Sequence, residues 1–91
     1  MQKDLTELIE VFTEVDSYDK MQGIFNDMFT EKEKDDFALR WRLMKEIYNG
    51  KSQRAIAAEL GISLCKITRG SKILREEDSL MKQLIKEHTH V

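Results

Sequence analysis

Proline is absent from this chain, glycine occurs four times and cysteine once. In a background rich in Lys, Glu, Leu and Ile, so few helix breakers point to an all-α fold. The lone Cys65 excludes an intrachain disulfide. The two histidines, His88 and His90, sit close together near the carboxyl end and make a poor metal pair, so no metal site is expected. No apolar run approaches the roughly 20 residues that cross a bilayer, so no membrane association is expected. The amino-terminal stretch is acidic and interrupted by charges, unlike a basic start followed by an apolar run, and this predicts a soluble, cytoplasmic protein. A nucleophile with a matching base, a phosphate-binding loop and a paired set of buried carboxylates are all missing, so neither an enzyme nor a cofactor is expected. A chain of 91 residues forms one domain with an unfavourable surface-to-volume ratio. With disulfide and metal excluded, association into a homodimer is the remaining ordinary source of support.

Charge is not scarce but unevenly placed. Residues 1–39 carry 4 basic and 11 acidic side chains, a net of −7, whereas residues 40–75 carry 9 basic and 2 acidic, a net of +7. Residues 76–91 return to −2. A basic block inside an acidic protein is either a solvated surface or the footprint of a large anion such as nucleic acid.

Apolar spacing divides the chain into helices. Leu5, Leu8, Ile9, Phe12 and Val15 lie on one face of a first helix over 3–16, and a break follows around Ser17. Met21, Ile24, Phe25, Met28 and Phe29 mark a second. Thr30 and Glu33 form a capping box that opens a third, which runs to about Asn49 and ends at Gly50. That helix carries two stripes, one of Phe37, Trp41, Met44 and Tyr48 and one of Leu43 and Ile47. Burial on two sides fits a central helix at a subunit interface. Trp41 reads as core. Leu80, Met81, Leu84 and Ile85 mark a last helix. Residues 1–49 are thus expected to dimerise, 52–75 to form a separate motif, and 77–88 to pack as a carboxyl-terminal helix.

Residues 52–75 read SQRAIAAELGISLCKITRGSKILR. Ser52 and Ser63 are each placed to cap a helix, and Gly61 supplies the positive φ of a tight turn between them. Ala57 is small enough for the second helix to cross closely. Ile56, Leu60, Ile62 and Ile67 fill the angle. Gln53, Arg54, Lys66, Thr68, Lys72 and Arg75 remain as polar groups around the pair. Such an arrangement matches a helix-turn-helix, whose second helix would enter the major groove of double-stranded DNA, the alternative being an αα-hairpin with incidental basic residues. Cys65, near the start of that second helix, could touch DNA, and is there either an inert small residue or a redox switch.

Gly70 departs from the pattern, because it stands three residues after Ile67 where another aliphatic plug is usual. Glycine inside a helix costs about 1 kcal/mol relative to alanine. Either it permits a kink or close helix packing, or it leaves a hole that, beside Arg69, could receive a planar anionic molecule.

ITRGSKIL, preceded by SQRAIAAELG and by FTEKEKDDFALRWRLMKEIYNG, resembles the bacterial tryptophan repressor family over roughly residues 26–75, and TRGS is its most specific element. The resemblance implies an intertwined all-helical homodimer with a helix-turn-helix reading head on each subunit and L-tryptophan as corepressor. Two sites, each using residues of both subunits, would hold the ligand. Arg69 would pair with the carboxylate, Arg40 would lie against the indole, and Gly70 would leave room for the ring. Thr30 would help hold the carboxylate, carbonyls near Asp27 and Phe29 would accept from the amine, and Met28 and Leu43 would line the site. Gln53, Arg54, Leu64, Cys65, Thr68, Lys72 and Arg75 would face operator DNA. Ile73 stands where the family usually has a serine that helps bind the amine, Asp27 where it has an aliphatic residue, and Lys66 where it has threonine. Asp27 could replace that serine by attracting the ammonium group. A related group of ligand-independent helix-turn-helix regulators resembles RWRLMKEIYNGKS as well, but tends to carry valine at the position of Gly70. A basic helical module that binds an acidic protein is a third reading, from another functional class.

Overall fold

A computed structural model of the chain describes residues 1–89. Among them six helices follow one another: α1 (Gln2–Glu14), α2 (Tyr18–Met28), α3 (Glu31–Tyr48), α4 (Gln53–Leu60), α5 (Leu64–Arg75) and α6 (Leu80–Thr89). The all-α expectation therefore holds. The helices form two units, Met1–Lys34 and the part from Asp35 onward.

Local chemistry explains where each helix starts and stops. Ser17 accepts from the Lys20 amide at 3.0 Å and so opens α2. The capping box at α3 is reciprocal, with the Glu33 amide donating to Thr30 Oγ1 at 3.1 Å and the Thr30 amide donating to Glu33 Oε1 at 2.9 Å. These bonds hold the Glu33 carboxyl below its ordinary pKa, the one from the Thr30 backbone most of all. At the other end of α3, Gly50 adopts φ +88°. There the Lys51 amide reaches the Glu46 carbonyl and the Gly50 amide reaches the Ile47 carbonyl, a Schellman stop.

In the first unit, Phe25 stacks on Phe12 at a ring separation of 6.1 Å and meets Phe29 edge-on at 5.1 Å. Neither α1 nor α2 contains a buried residue. Leu5 and Ile9 are 57% and 56% exposed.

The second unit holds the core. Ser52 and Ser63 cap α4 and α5 as expected, accepting from the Ala55 and Lys66 amides. Between the two helices Gly61 takes φ +65°. Ile56 and Ile67 are fully buried and cluster with Leu43 of α3, and Ile47, Ala57, Leu60 and Ile62 pack round them. Full burial of two isoleucines contributes roughly 1.5–3 kcal/mol each. The four plugs expected between the two helices all join this cluster.

The last helix begins at Leu80, where its apolar pattern starts, rather than at 77, because buried Ser79 caps it by accepting from the Lys82 amide. Ile85 of α6 is fully buried. His88 is part of that helix and its ring meets Trp41 edge-on at 6.1 Å. Trp41 is half-buried. His90 lies outside the described residues.

Candidate functional site

Helix α5 turns by about 100° per residue, and this divides its side chains among three directions. Ile67, Gly70 and Leu74 face inward and are buried. Leu64, Thr68 and Lys72, one turn apart and flanked by Cys65 and Arg75, form an exposed stripe. Lys66, Arg69 and Ile73 form another, about 140° round the helix from the first. One rigid element thus presents two different surfaces.

The Lys66 stripe is one wall of a cleft of about 390 Å³ whose other wall is α3. Pockets of roughly 300–1,000 Å³ suit small organic ligands. From α3 come Asp36, Leu39, Arg40, Leu43 and Met44, spaced at three and four residues so that they share one face. Ile62 and Gly70 complete the lining. The cleft combines the apolar Leu39, Leu43, Met44, Ile62 and Ile73 with Arg40, Lys66 and Arg69 and one carboxylate, Asp36.

Gly70 is buried on α5 beside the Ile47 and Leu43 side chains of α3. A β-carbon there would come within 3.2 Å of Ile47 Cδ1 and 3.7 Å of Leu43 Cδ2. The glycine therefore permits close helix packing and, on its other side, opens onto the cleft.

Leu64, at 51% exposure, presents an apolar side chain among polar neighbours on the first stripe. Cys65 is a free, exposed thiol. Thr68 donates its hydroxyl to the Leu64 carbonyl at 2.9 Å. Arg75 leans back along its own helix, with Nη2 at 3.3 Å from Ser71 Oγ. On α4, Gln53 and Arg54 are exposed in the first turn.

Charge on the segment is sorted by pairing. Arg42 Nε donates to Glu46 Oε1 at 2.8 Å, and Lys51 bridges Glu46 and Glu59. These contacts lower the Glu46 pKa, chiefly through the Arg42 bond, and raise that of Lys51, chiefly through Glu59. Glu46 and Glu59 are the only acidic residues between 40 and 75, so Arg42 and Lys51 occupy both. The other seven basic side chains of the stretch, Arg40, Lys45, Arg54, Lys66, Arg69, Lys72 and Arg75, make no ion pair among the described residues and leave a positive field.

A family model described as Trp repressor protein matches residues 3–89. The chain belongs to the Trp repressor family. It is 37% identical over 81 residues to a Trp operon repressor homolog of Xylella fastidiosa strain M23, covering 85% of this chain and 88% of that protein. A Trp operon repressor homolog of Chlamydia trachomatis serovar D is 31% identical over 68 residues, 74% of this chain and 72% of the relative. No solved structure matches the chain. The Trp repressor family is one of transcriptional repressors, and the chain is a Trp-repressor-like regulator. Among the described residues no helix is long and apolar enough to cross a membrane.

Of the residues expected at a tryptophan site, the cleft brings together Arg40, Leu43, Arg69 and Gly70. Thr30, Asp27, Met28 and Phe29 are not among its lining residues and belong to the first unit. Asp36, Leu39 and Met44 line the cleft without having been expected there. Their spacing with Arg40 and Leu43 was visible in the sequence. Which direction that face points depends on how α3 packs against α5, and spacing alone does not carry that.

Proposed function

We propose that this chain is a tryptophan-dependent transcriptional repressor that binds operator DNA as a homodimer. The observation that carries the reading is that α5 bears both the exposed Leu64–Thr68–Lys72 stripe and, on another side, the Lys66–Arg69–Ile73 wall of the cleft. A ligand wedged between α3 and α5 then acts on the same rigid body that reads DNA.

In this mechanism Arg69 holds the tryptophan carboxylate through charge-assisted hydrogen bonds, and the planar guanidinium of Arg40 stacks on the indole. Gly70 leaves room for the ring, and Leu43 lines its edge. Thr30, Asp27, Met28 and Phe29 contribute from the partner subunit, Thr30 toward the carboxylate and the Asp27 and Phe29 carbonyls toward the amine. Gln53, Arg54, Leu64, Cys65, Thr68, Lys72 and Arg75 form the DNA face. Arg54 and Lys72 neutralise phosphates and give affinity its salt dependence, while exposed Leu64 suits a thymine methyl group. In helix-turn-helix dimers, tryptophan repressors among them, two recognition helices reach successive major grooves about 34 Å apart. Tryptophan binds the DNA-competent tilt of α5 more tightly and so shifts the population toward it. Coupling of about 1–3 kcal/mol is the ordinary range.

Selection from a pool of random DNA duplexes, run with and without L-tryptophan, tests this reading. A two-fold-related sequence recovered only with tryptophan supports it. Equal recovery without the ligand would favour a ligand-independent regulator, and no enriched sequence would favour a protein partner.

A further inference from the structure

The cleft between α3 and α5 carries Lys66 and Arg69 on its α5 wall, and Arg40 with one carboxylate, Asp36, on its α3 wall. The α5 wall offers Lys66, Arg69, Gly70 and Ile73. None of these side chains can accept a hydrogen bond, so an ammonium group finds two cations there and no partner. The α3 wall offers Asp36, one turn before Arg40 on the same face. Among the described residues no ion pair engages Asp36, although three cationic side chains line the same cleft.

We infer that Asp36 adds a side-chain acceptor for the ligand ammonium to the partner-subunit carbonyls of the proposed site, and makes the cleft selective for an aromatic amino acid over the same aromatic acid without the amine. The inference rests on the proposed tryptophan site and adds to it a specificity determinant. An amino acid carries its two charges on one carbon, and a cleft with cations on α5 and a lone carboxylate on α3 sets its orientation. The carboxylate turns to Arg69 and Lys66, and the ammonium turns to Asp36. There it donates a charge-assisted hydrogen bond, stronger than one between neutral groups. Ile73 gives the amine nothing on the α5 side, and Lys66 repels it. Both steer the ammonium across the cleft rather than along α5.

Calorimetry on the full-length protein decides the point, with L-tryptophan and indole-3-propionate as ligands and Asp36→Asn and Asp27→Asn as variants. Asp36 is exposed, so circular dichroism of Asp36→Asn should match the parent. The expected result is at least a fivefold loss of L-tryptophan affinity in Asp36→Asn, with indole-3-propionate bound as well as before or better. Equal loss for both ligands, or no loss for either, overturns the inference while leaving the tryptophan site standing. A selective loss in Asp27→Asn alone also overturns it and assigns the amine to that residue. If the unaltered protein binds neither ligand, the tryptophan site itself fails and the inference fails with it.

Discussion

Replacing Gly70 tests how one position serves both packing and ligand binding. In Gly70→Ala, alanine's higher helix propensity contributes about 1 kcal/mol. Against this, the new β-carbon lies 3.2 Å from Ile47 Cδ1. That atom is the end of a flexible side chain, which can yield by a few tenths of an ångström at roughly 0.5–1.5 kcal/mol. The two effects nearly cancel, and urea unfolding should place the alanine variant within about 1 kcal/mol of the parent. Gly70→Val is different, because its two γ-carbons extend toward Ile47 and Leu43 and into the cleft. Overpacking of this kind costs typically 1–3 kcal/mol, so the valine variant should fold with reduced stability rather than fold unchanged. Its affinity for L-tryptophan by calorimetry should fall at least tenfold, and that of Gly70→Ala by a smaller factor. Undiminished tryptophan affinity in Gly70→Val would show that the ligand does not use this cleft. A valine variant as stable as alanine would show that α3 and α5 are not packed as closely as 3.2 Å implies.

The protein should sediment at twice the chain mass at micromolar concentration, because α1 and α2 bury no residue and leave Leu5, Ile9 and Val11 exposed. A stable folded monomer would remove the two-groove mechanism. The Glu46 pKa is lowered by the Arg42 hydrogen bond and then by Lys51. Its contribution is therefore present above the unfolded value of about 4.3 and is lost as pH falls through the lower folded value. The advantage of the parent over Glu46→Gln in urea unfolding should shrink as pH drops below about 4, and a constant difference from neutral to acid pH would refute the pairing. Lys72→Ala should weaken binding to different duplexes uniformly and lower the salt dependence by about one counterion. A change confined to one base position would instead make Lys72 a base reader.

The helix-turn-helix was legible in the sequence because its determinants are local. Ser52 and Ser63 bond amides three residues on, Gly61 needs only its own φ, and the Ile56–Leu60–Ile62–Ile67 plugs follow from helical period. Gly70 was legible as an exception, but not as a contact. Its neighbours Ile47 and Leu43 lie more than twenty residues earlier in the chain. The same holds for the cleft. Arg40, Leu43, Arg69 and Gly70 followed from family resemblance, whereas Asp36, Leu39 and Met44 depend on which face α3 turns toward α5. The sequence shows His88 only as half of a poor metal pair and carries no sign that its ring meets Trp41, more than forty residues earlier in the chain.

Coupling between ligand and DNA is the central claim, and it is reciprocal by linkage. L-tryptophan affinity should be measured by calorimetry twice, on the protein alone and on its complex with a duplex recovered by selection. The account predicts tighter tryptophan binding in the complex by a factor of about 5–150, matched by an equal tightening of DNA binding when tryptophan is added. Identical tryptophan affinity with and without DNA would contradict it, since a ligand with no preference between states shifts nothing.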